Sequence, residues 1–151
     1  MKSRFAIITL RFVTLILAAF ALVLPLIDLL ELPRKIGLSK DDYATAQYID
    51  QGLSWLEFVR FGSILSISIL LFYERENGHL YRPALGAFVG QLLMIVIFIF
   101  TLPVTVNTRS WTFFPDNWVQ LRQQWEYLHA ADAIIGIIAF LLLSYALIRG
   151  K

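Results

Sequence analysis

An all-α integral membrane bundle of four spanning helices, with one short interfacial helix in its first loop, is the fold this sequence predicts. Three observations predict it. Hydrophobic residues make up 58% of the 151 residues and charged residues only 16%, a balance too apolar for a water-soluble domain. The apolar residues fall into four runs, each near the ~20 residues that a helix needs to cross the hydrocarbon core. Aromatic residues, 15% of the chain, gather at the ends of those runs, where the membrane–water interface favours them. A single transmembrane domain over residues 1–151 is expected, with spans at about residues 5–30, 53–74, 83–106 and 124–149.

The first run, Phe5 to Ile27, is interrupted only by Arg11. Its basic start, Lys2 and Arg4, resembles a signal peptide, but the apolar residues continue to Leu30, beyond the ~7–15 residues of a cleaved signal. A retained helix is expected, bent by Pro25 and broken by Pro33 and Gly37. Ser39 then caps a short polar helix from Lys40 to Asp50, with Asp41 and Asp42 where the helix dipole favours acids. Tyr43, Ala46, Tyr48 and Ile49 would lay this helix on the membrane surface, and Gly52 ends it. The second span contains Glu57 and Arg60, three residues apart and able to pair. A polar turn, Glu74 to Arg82, makes spans two and three antiparallel neighbours. Pro83 opens the third span, where its missing N–H costs nothing, and Pro103 should kink or end it. Within that span Gly86-Ala-Phe-Val-Gly90 forms a small-xxx-small stripe suited to close helix contact, a candidate face for a homo- or hetero-oligomer. Asp116 is placed to cap the last helix, whose stretch from Ala133 to Ile148 carries no charge.

Four spans put both termini on one side. Seven Lys/Arg residues fall on the terminal side against six opposite, while acids divide two against nine. Acids contribute little to orientation, so the basic N-terminal start places the termini in the cytoplasm, and the expected location is a bacterial inner membrane. A net charge of +2 argues against nucleic acid as a partner. The absence of cysteine excludes disulfides, thiolate metal sites and cysteine nucleophiles. No phosphate-binding loop, dinucleotide fingerprint or zinc-protease motif is present.

The chemistry-bearing residues concentrate at the loop side. At ~100° per residue, Arg122, Trp125, Glu126, His129 and Asp132 share one side of the last helix. Asp28 and Glu31 from the first span and Glu57 and Arg60 from the second lie at the same level. One reading is a salt-bridge network that fixes helix register. A second is a polar pocket, with His129 as base, acid or ligand and Arg122 or Arg60 facing an anion. A third is an interface with a partner subunit. Histidine flanked by carboxylates suits proton transfer near neutral pH. Trp55, Trp111, Trp118 and Trp125 form either a headgroup belt or, at Trp111 and Trp125, the walls of a pocket for a flat ligand. Two Glu-x-x-His units, Glu126 to His129 and Glu76 to His79, superficially suggest a di-iron bundle. Topology sets them a membrane thickness apart, ~30 Å, which rejects that site and a bis-histidine haem. A lone ion on His129 and Glu126 stays open, although no metal and no cofactor is expected.

Glu31-Leu-Pro-Arg-Lys35, Thr101-Leu-Pro-Val-Thr-Val-Asn107 and Trp118-x-x-x-Arg122-x-x-Trp125-x-x-x-His129 together carry a family resemblance. The chain resembles the DUF1772, or anthrone oxygenase-like, family of four-span membrane proteins. The resemblance covers most of the chain in layout and these motifs in detail. It implies a shared site of Arg122, Trp125 and His129 with Asn107, and, for the fungal relatives, cofactor-free oxygenation of an anthrone to a quinone. After His129 this chain has Ala130, Ala131 and Asp132 where the family pattern has an arginine.

The expected function is therefore binding, or oxidation, of a small hydrophobic aromatic or quinone-like molecule in a loop-side pocket. His129 would serve as base, Arg122 as oxyanion partner and Glu126 as the group orienting His129. Trp125, Trp111, Asn107, Glu57, Arg60 and Asp132 would contact the ligand. The alternatives are a non-catalytic accessory subunit of a larger membrane complex and a small transporter, for which four spans without inverted repeats offer little machinery.

Overall fold

A computed structural model describes residues 4–149 of the chain. The expected contributions of Lys2 and Lys151 to the charge count lie outside the described residues. Five α-helices follow in order: α1 Arg4–Lys35, α2 Lys40–Gln51, α3 Glu57–Tyr73, α4 Gly78–Asn107 and α5 Trp118–Arg149, with a 3-10 turn Ser54–Leu56 leading into α3. Among the described residues there is no strand. Helices α1, α4 and α5 are each long and apolar enough to cross a membrane, which fits an integral membrane protein. Helix α3, at 17 residues, is shorter than these.

The prolines do not end helices where their chemistry alone suggests. Helix α1 continues through Pro25 and Pro33 to Lys35, five residues past the expected exit at Leu30. Lys35 ties down this extra turn by pairing with Glu31 one turn back, at 2.8 Å, and with Asp28, at 3.2 Å. Helix α4 starts at Gly78, not at Pro83, because the Asn77 carbonyl already accepts from the N–H groups of Leu80 and Tyr81. It also continues through Pro103 to Asn107. There the hydroxyls of Thr101, Thr105 and Thr108 donate to the carbonyls of Phe98, Thr101 and Val104. Such side-chain bonds help a proline-containing helix persist in an apolar setting. Helix α5 begins at Trp118 with the Leu121 N–H on the Asn117 carbonyl, two residues after the expected Asp116 cap.

Helix α2 starts where Ser39 predicts, its Oγ accepting from the Asp42 N–H at 3.3 Å. Its orientation differs from the expected one. Tyr48 and Ile49 are exposed, but Tyr43 is fully buried beneath the helix against Trp111. Tyr43, Gln47 and Asp50 recur at intervals of four and three, so one polar-aromatic stripe of α2 turns inward.

Helix α1 packs against α3 and α5, and α4 packs against the same two, with α4 on α5 the most extensive contact. Near the chain termini the core is Ala18, Ile67, Leu70, Leu80, Ala84, Ala87, Leu143 and Ala146. At the opposite end Tyr43, Val104 and Trp111 form a second core, covered by Leu38, Phe114, Leu121 and Trp125. Arg11 bonds to Glu74, at 2.7 Å. The Gly86–Gly90 stripe proposed for an oligomer is already spent inside the chain. A Cβ on Gly86 would meet Leu142 at 3.1 Å, and one on Gly90 would meet the Cβ of Ala139 at 2.8 Å.

Candidate functional site

The polar residues of the loop side divide into groups, and the division follows from helix geometry. Glu126 sits a little over one turn after Arg122, so at ~100° per residue the two are only ~40° apart. Both turn toward α2. Trp125, His129 and Asp132 lie on the other edge of the same face and turn toward α3 and α4. The five residues that the periodicity puts on one side are thus shared between two environments.

On the α2 side, the Tyr43 hydroxyl donates to Glu126 Oε1 at 2.7 Å, and the Gln47 amide donates to the Tyr43 oxygen at 3.1 Å. Arg122 donates to the Leu38 carbonyl at 2.7 Å and lies over the Trp118 ring, 4.7 Å from its centroid. Nearby, buried Lys35 gathers Asp28, Glu31 and Asp50, the last at 2.6 Å. On the other side, Arg60 pairs with Asp132 at 2.8 Å and, more loosely, with its expected partner Glu57 at 3.6 Å.

Burial, reinforced by the neighbouring Glu126 carboxylate, pushes the Tyr43 hydroxyl well above the ordinary tyrosine range. Because the folded value is raised above the unfolded value of ~10, this hydroxyl stabilises the fold fully below pH ~10. That contribution is lost as pH climbs further, by about 1.4 kcal/mol per pH unit. Unfolding titrations of wild type and Tyr43→Phe should therefore show wild type more stable at pH 8, with the difference shrinking from pH ~10 upward. A difference that stays constant to high pH would mean the hydroxyl ionises freely in the folded protein.

Between these groups lies a pocket of about 270 Å³. Its apolar walls include Leu24 and Ile27 of α1, Leu53, Phe98 and Leu102 of α4, and the two indoles Trp111 and Trp125. Its polar lining includes Glu57, Thr101, Thr105 and His129. A cavity of about 10 Å³, the size of one water molecule, joins Glu57, Thr101 and His129 to the Arg60–Asp132 pair.

Trp111 reaches the pocket through a strained turn. Arg109, Ser110 and Trp111 all have positive φ, 47°, 56° and 62°, a conformation that costs a non-glycine residue roughly 1 kcal/mol or more. The turn is held by Ser110 N–H on the Thr105 carbonyl, Trp111 N–H on Thr108 Oγ, and the Gln51 amide on the Ser110 carbonyl. Strain kept by three non-glycine residues in a row places one indole, 3% exposed, against Tyr43 and Trp125. His129 stacks at 4.3 Å on the Trp125 ring, and its Nδ1 lies 2.9 Å from the Trp125 carbonyl. A carbonyl only accepts, so Nδ1 carries a proton, and Nε2 is the nitrogen without a partner.

Of the residues expected at one site, Trp111, Trp125, His129 and Glu57 line the pocket together, while Arg60 and Asp132 lie behind them at the small cavity. Arg122 and Glu126 do not line it, and Glu126 bonds Tyr43 where an orienting bond to His129 was expected. Asn107 is exposed in the last turn of α4, outside the lining. Among the described residues no group of three or more His, Cys, Asp or Glu is arranged to hold a metal ion. Sequence reasoning passed over Tyr43, Gln47 and Lys35, and the threonines of α4. The inward stripe of α2 was visible in the four-and-three spacing of Tyr43, Gln47 and Asp50. For Lys35 the local signal was its i,i+4 spacing to Glu31, while Asp50 comes from a second helix. Comparison of the chain with protein-family models, with curated proteins and with solved structures finds no match to any of them.

Proposed function

We propose that this chain is a four-span membrane protein whose loop-side pocket binds a small hydrophobic molecule with a flat aromatic body. The observation that carries this reading is the pocket itself, walled by Trp111, Trp125 and Phe98 with His129 in its lining. Small-molecule sites are mostly apolar cavities of this order with a few placed polar groups. As the fourth span we take α3 with the 3-10 turn before it. At 1.5 Å per residue for the helix and ~2 Å for the turn, the two together approach the ~30 Å of the hydrocarbon core. Phe58, Phe61, Leu65, Ile69 and Phe72 are all exposed at intervals of three and four, the stripe a lipid-facing helix presents. With α3 counted as a span, both termini fall on one side, which we take as the cytoplasmic one.

Oxidation of the anthrone type, as the resemblance to the DUF1772 family implies, would need His129, Arg122 and Glu126 around one substrate. Binding without that triad is the reading supported best. Native mass spectrometry of protein extracted with its own lipids tests it, with wild type beside Thr105→Phe, which fills the pocket from α4. Wild type should retain a discrete small molecule, and the variant should lose at least about nine-tenths of it, a tenfold change in occupancy corresponding to ~1.4 kcal/mol. Equal retention by both would place the ligand elsewhere, and no retained molecule in either sample would remove the reading.

A further inference from the structure

The hydrogen-bonding state of the pocket lining defines the ligand more narrowly. Several polar side chains there have already committed a proton. The hydroxyls of Thr101 and Thr105 donate to carbonyls of their own helix, at 2.8 and 3.3 Å. The Nδ1–H of His129 is held by the Trp125 carbonyl. The Gln51 amide donates to the Ser110 carbonyl, and the Gln47 amide to Tyr43 and Glu126. What the lining leaves over includes Nε2 of His129, the lone pairs of the threonine oxygens, and the Glu57 carboxylate. Glu57 is 3.6 Å from Arg60, beyond hydrogen-bond distance, because Asp132 holds that guanidinium at 2.8 Å.

Charge points the same way. The lining contains the carboxyl groups of Asp28, Asp50 and Glu57 and no lysine or arginine. Lys35 bridges the first two. Glu57 shares Arg60, at 3.6 Å, with the closer Asp132, so two carboxylates stand against one guanidinium and Glu57 is the looser of the two. The lining also holds the rings of Trp111, Trp125 and Phe98, whose faces attract a cation through the ring quadrupole. Nε1 of Trp111, on a side chain 3% exposed, has no partner. A buried indole N–H normally finds an acceptor, and this one has none.

We infer that the pocket takes an organic cation, an ammonium group carried on an aromatic or otherwise apolar body, with Glu57 as its counter-ion. The inference rests on the reading that this pocket binds a small hydrophobic molecule, and it names the class. An anionic quinol or carboxylate would meet a lining with three carboxyl groups and no lysine or arginine. Phe98 and Leu102, both more than a third exposed on the outer side of α4, give such an amphiphile a route from the lipid. The ammonium can belong to a free amine or to a lipid headgroup, and the chemistry at Glu57 is the same.

The test uses full-length protein in nanodiscs of phosphatidylglycerol, which has no ammonium group, with binding read by tryptophan fluorescence. The probes are naphthylmethyl-trimethylammonium and its uncharged carbon isostere, neopentylnaphthalene. Wild type should bind the cation about tenfold more tightly or better. Glu57→Gln should remove that preference while leaving the affinity for the neutral probe unchanged, which also shows that the variant is folded. Equal binding of both probes by wild type would overturn the cation assignment and leave the pocket reading standing. Binding of neither probe would overturn both. Repeating the titration in discs containing phosphatidylethanolamine distinguishes the sources. A tenfold loss of cation affinity identifies the lipid headgroup as the competing occupant, and an unchanged affinity identifies a free cation.

Discussion

Replacing Asp132 by alanine is expected to destabilise the protein by about 3–5 kcal/mol, the cost of leaving a buried charge without its partner. Arg60 is 4% exposed and Asp132 3% exposed, and their 2.8 Å contact crosses from α3 to α5. Without the carboxylate, the guanidinium keeps only the Met94 carbonyl at 3.3 Å and the more distant Glu57. The wild-type pair is not itself a large source of stability, since much of its attraction is offset by the desolvation of both ions. The decisive variant is therefore the double one, Arg60→Met with Asp132→Leu. It removes both charges together and should lie within about 1–2 kcal/mol of wild type, although each single change is severe. Unfolding in detergent, followed by circular dichroism across the four proteins of the cycle, measures this directly. A double variant as unstable as Asp132→Ala would mean that the hydroxyl, amide and carbonyl groups around the pair, and not the unpaired charge, set the cost.

The pair also bears on how much of this molecule is legible in its sequence. Four apolar runs separated by polar turns are enough to place the helices, because hydropathy and length depend on nothing outside the run. Helix ends are less legible, since Pro33 and Pro103 sit in helices whose last turns are held by Lys35 and by the Thr101–Thr105–Thr108 series. The i, i+3 spacing of Glu57 and Arg60 correctly puts them on one face, yet the stronger partner of Arg60 lies 72 residues away. Periodicity along one helix carries no information about which neighbour faces it. The same limit explains the site. Arg122, Trp125, Glu126, His129 and Asp132 are on one side of α5, but α2 claims Arg122 and Glu126 while α3 and α4 take the rest. Only the packing of α2, whose inward stripe begins with Tyr43, decides that division. The strained turn at Arg109, Ser110 and Trp111 is illegible for a related reason. None of the three is a residue type that prefers positive φ, and the bonds that hold them there come from Thr105, Thr108 and Gln51.

Gly90 and Gly136 offer the second large effect, because the same substitution at each should give different outcomes. A Cβ added at either position would come within 2.8 Å of another atom, closer than any relaxed contact. At Gly90 that atom is the Cβ of Ala139, which cannot move without its backbone. At Gly136 the neighbours are Cδ1 of Leu22 and Cε of Met94, the free ends of side chains that can change rotamer. Alanine is better than glycine in a helix interior by roughly 1 kcal/mol, while overpacking a tight contact costs about 1–3 kcal/mol. For Gly90→Ala the steric cost wins, since α4 and α5 must separate along their whole contact, and a loss of about 1–2 kcal/mol remains. For Gly136→Ala the two effects nearly cancel, and stability should stay within about 1 kcal/mol of wild type. Exchanging the methyl group across the interface, Gly90→Ala with Ala139→Gly, removes the clash, because the next neighbours of the new Cβ are the Ala139 Cα at 3.6 Å and the Ile135 carbonyl at 3.8 Å. That double variant should regain most of the loss in a thermal unfolding series, less the helix preference given up at residue 139. Recovery would show that close approach of α4 to α5, and not an oligomer contact, is what requires glycine at residue 90. A Gly90→Ala protein that unfolds like wild type but changes its oligomeric state would reverse that conclusion.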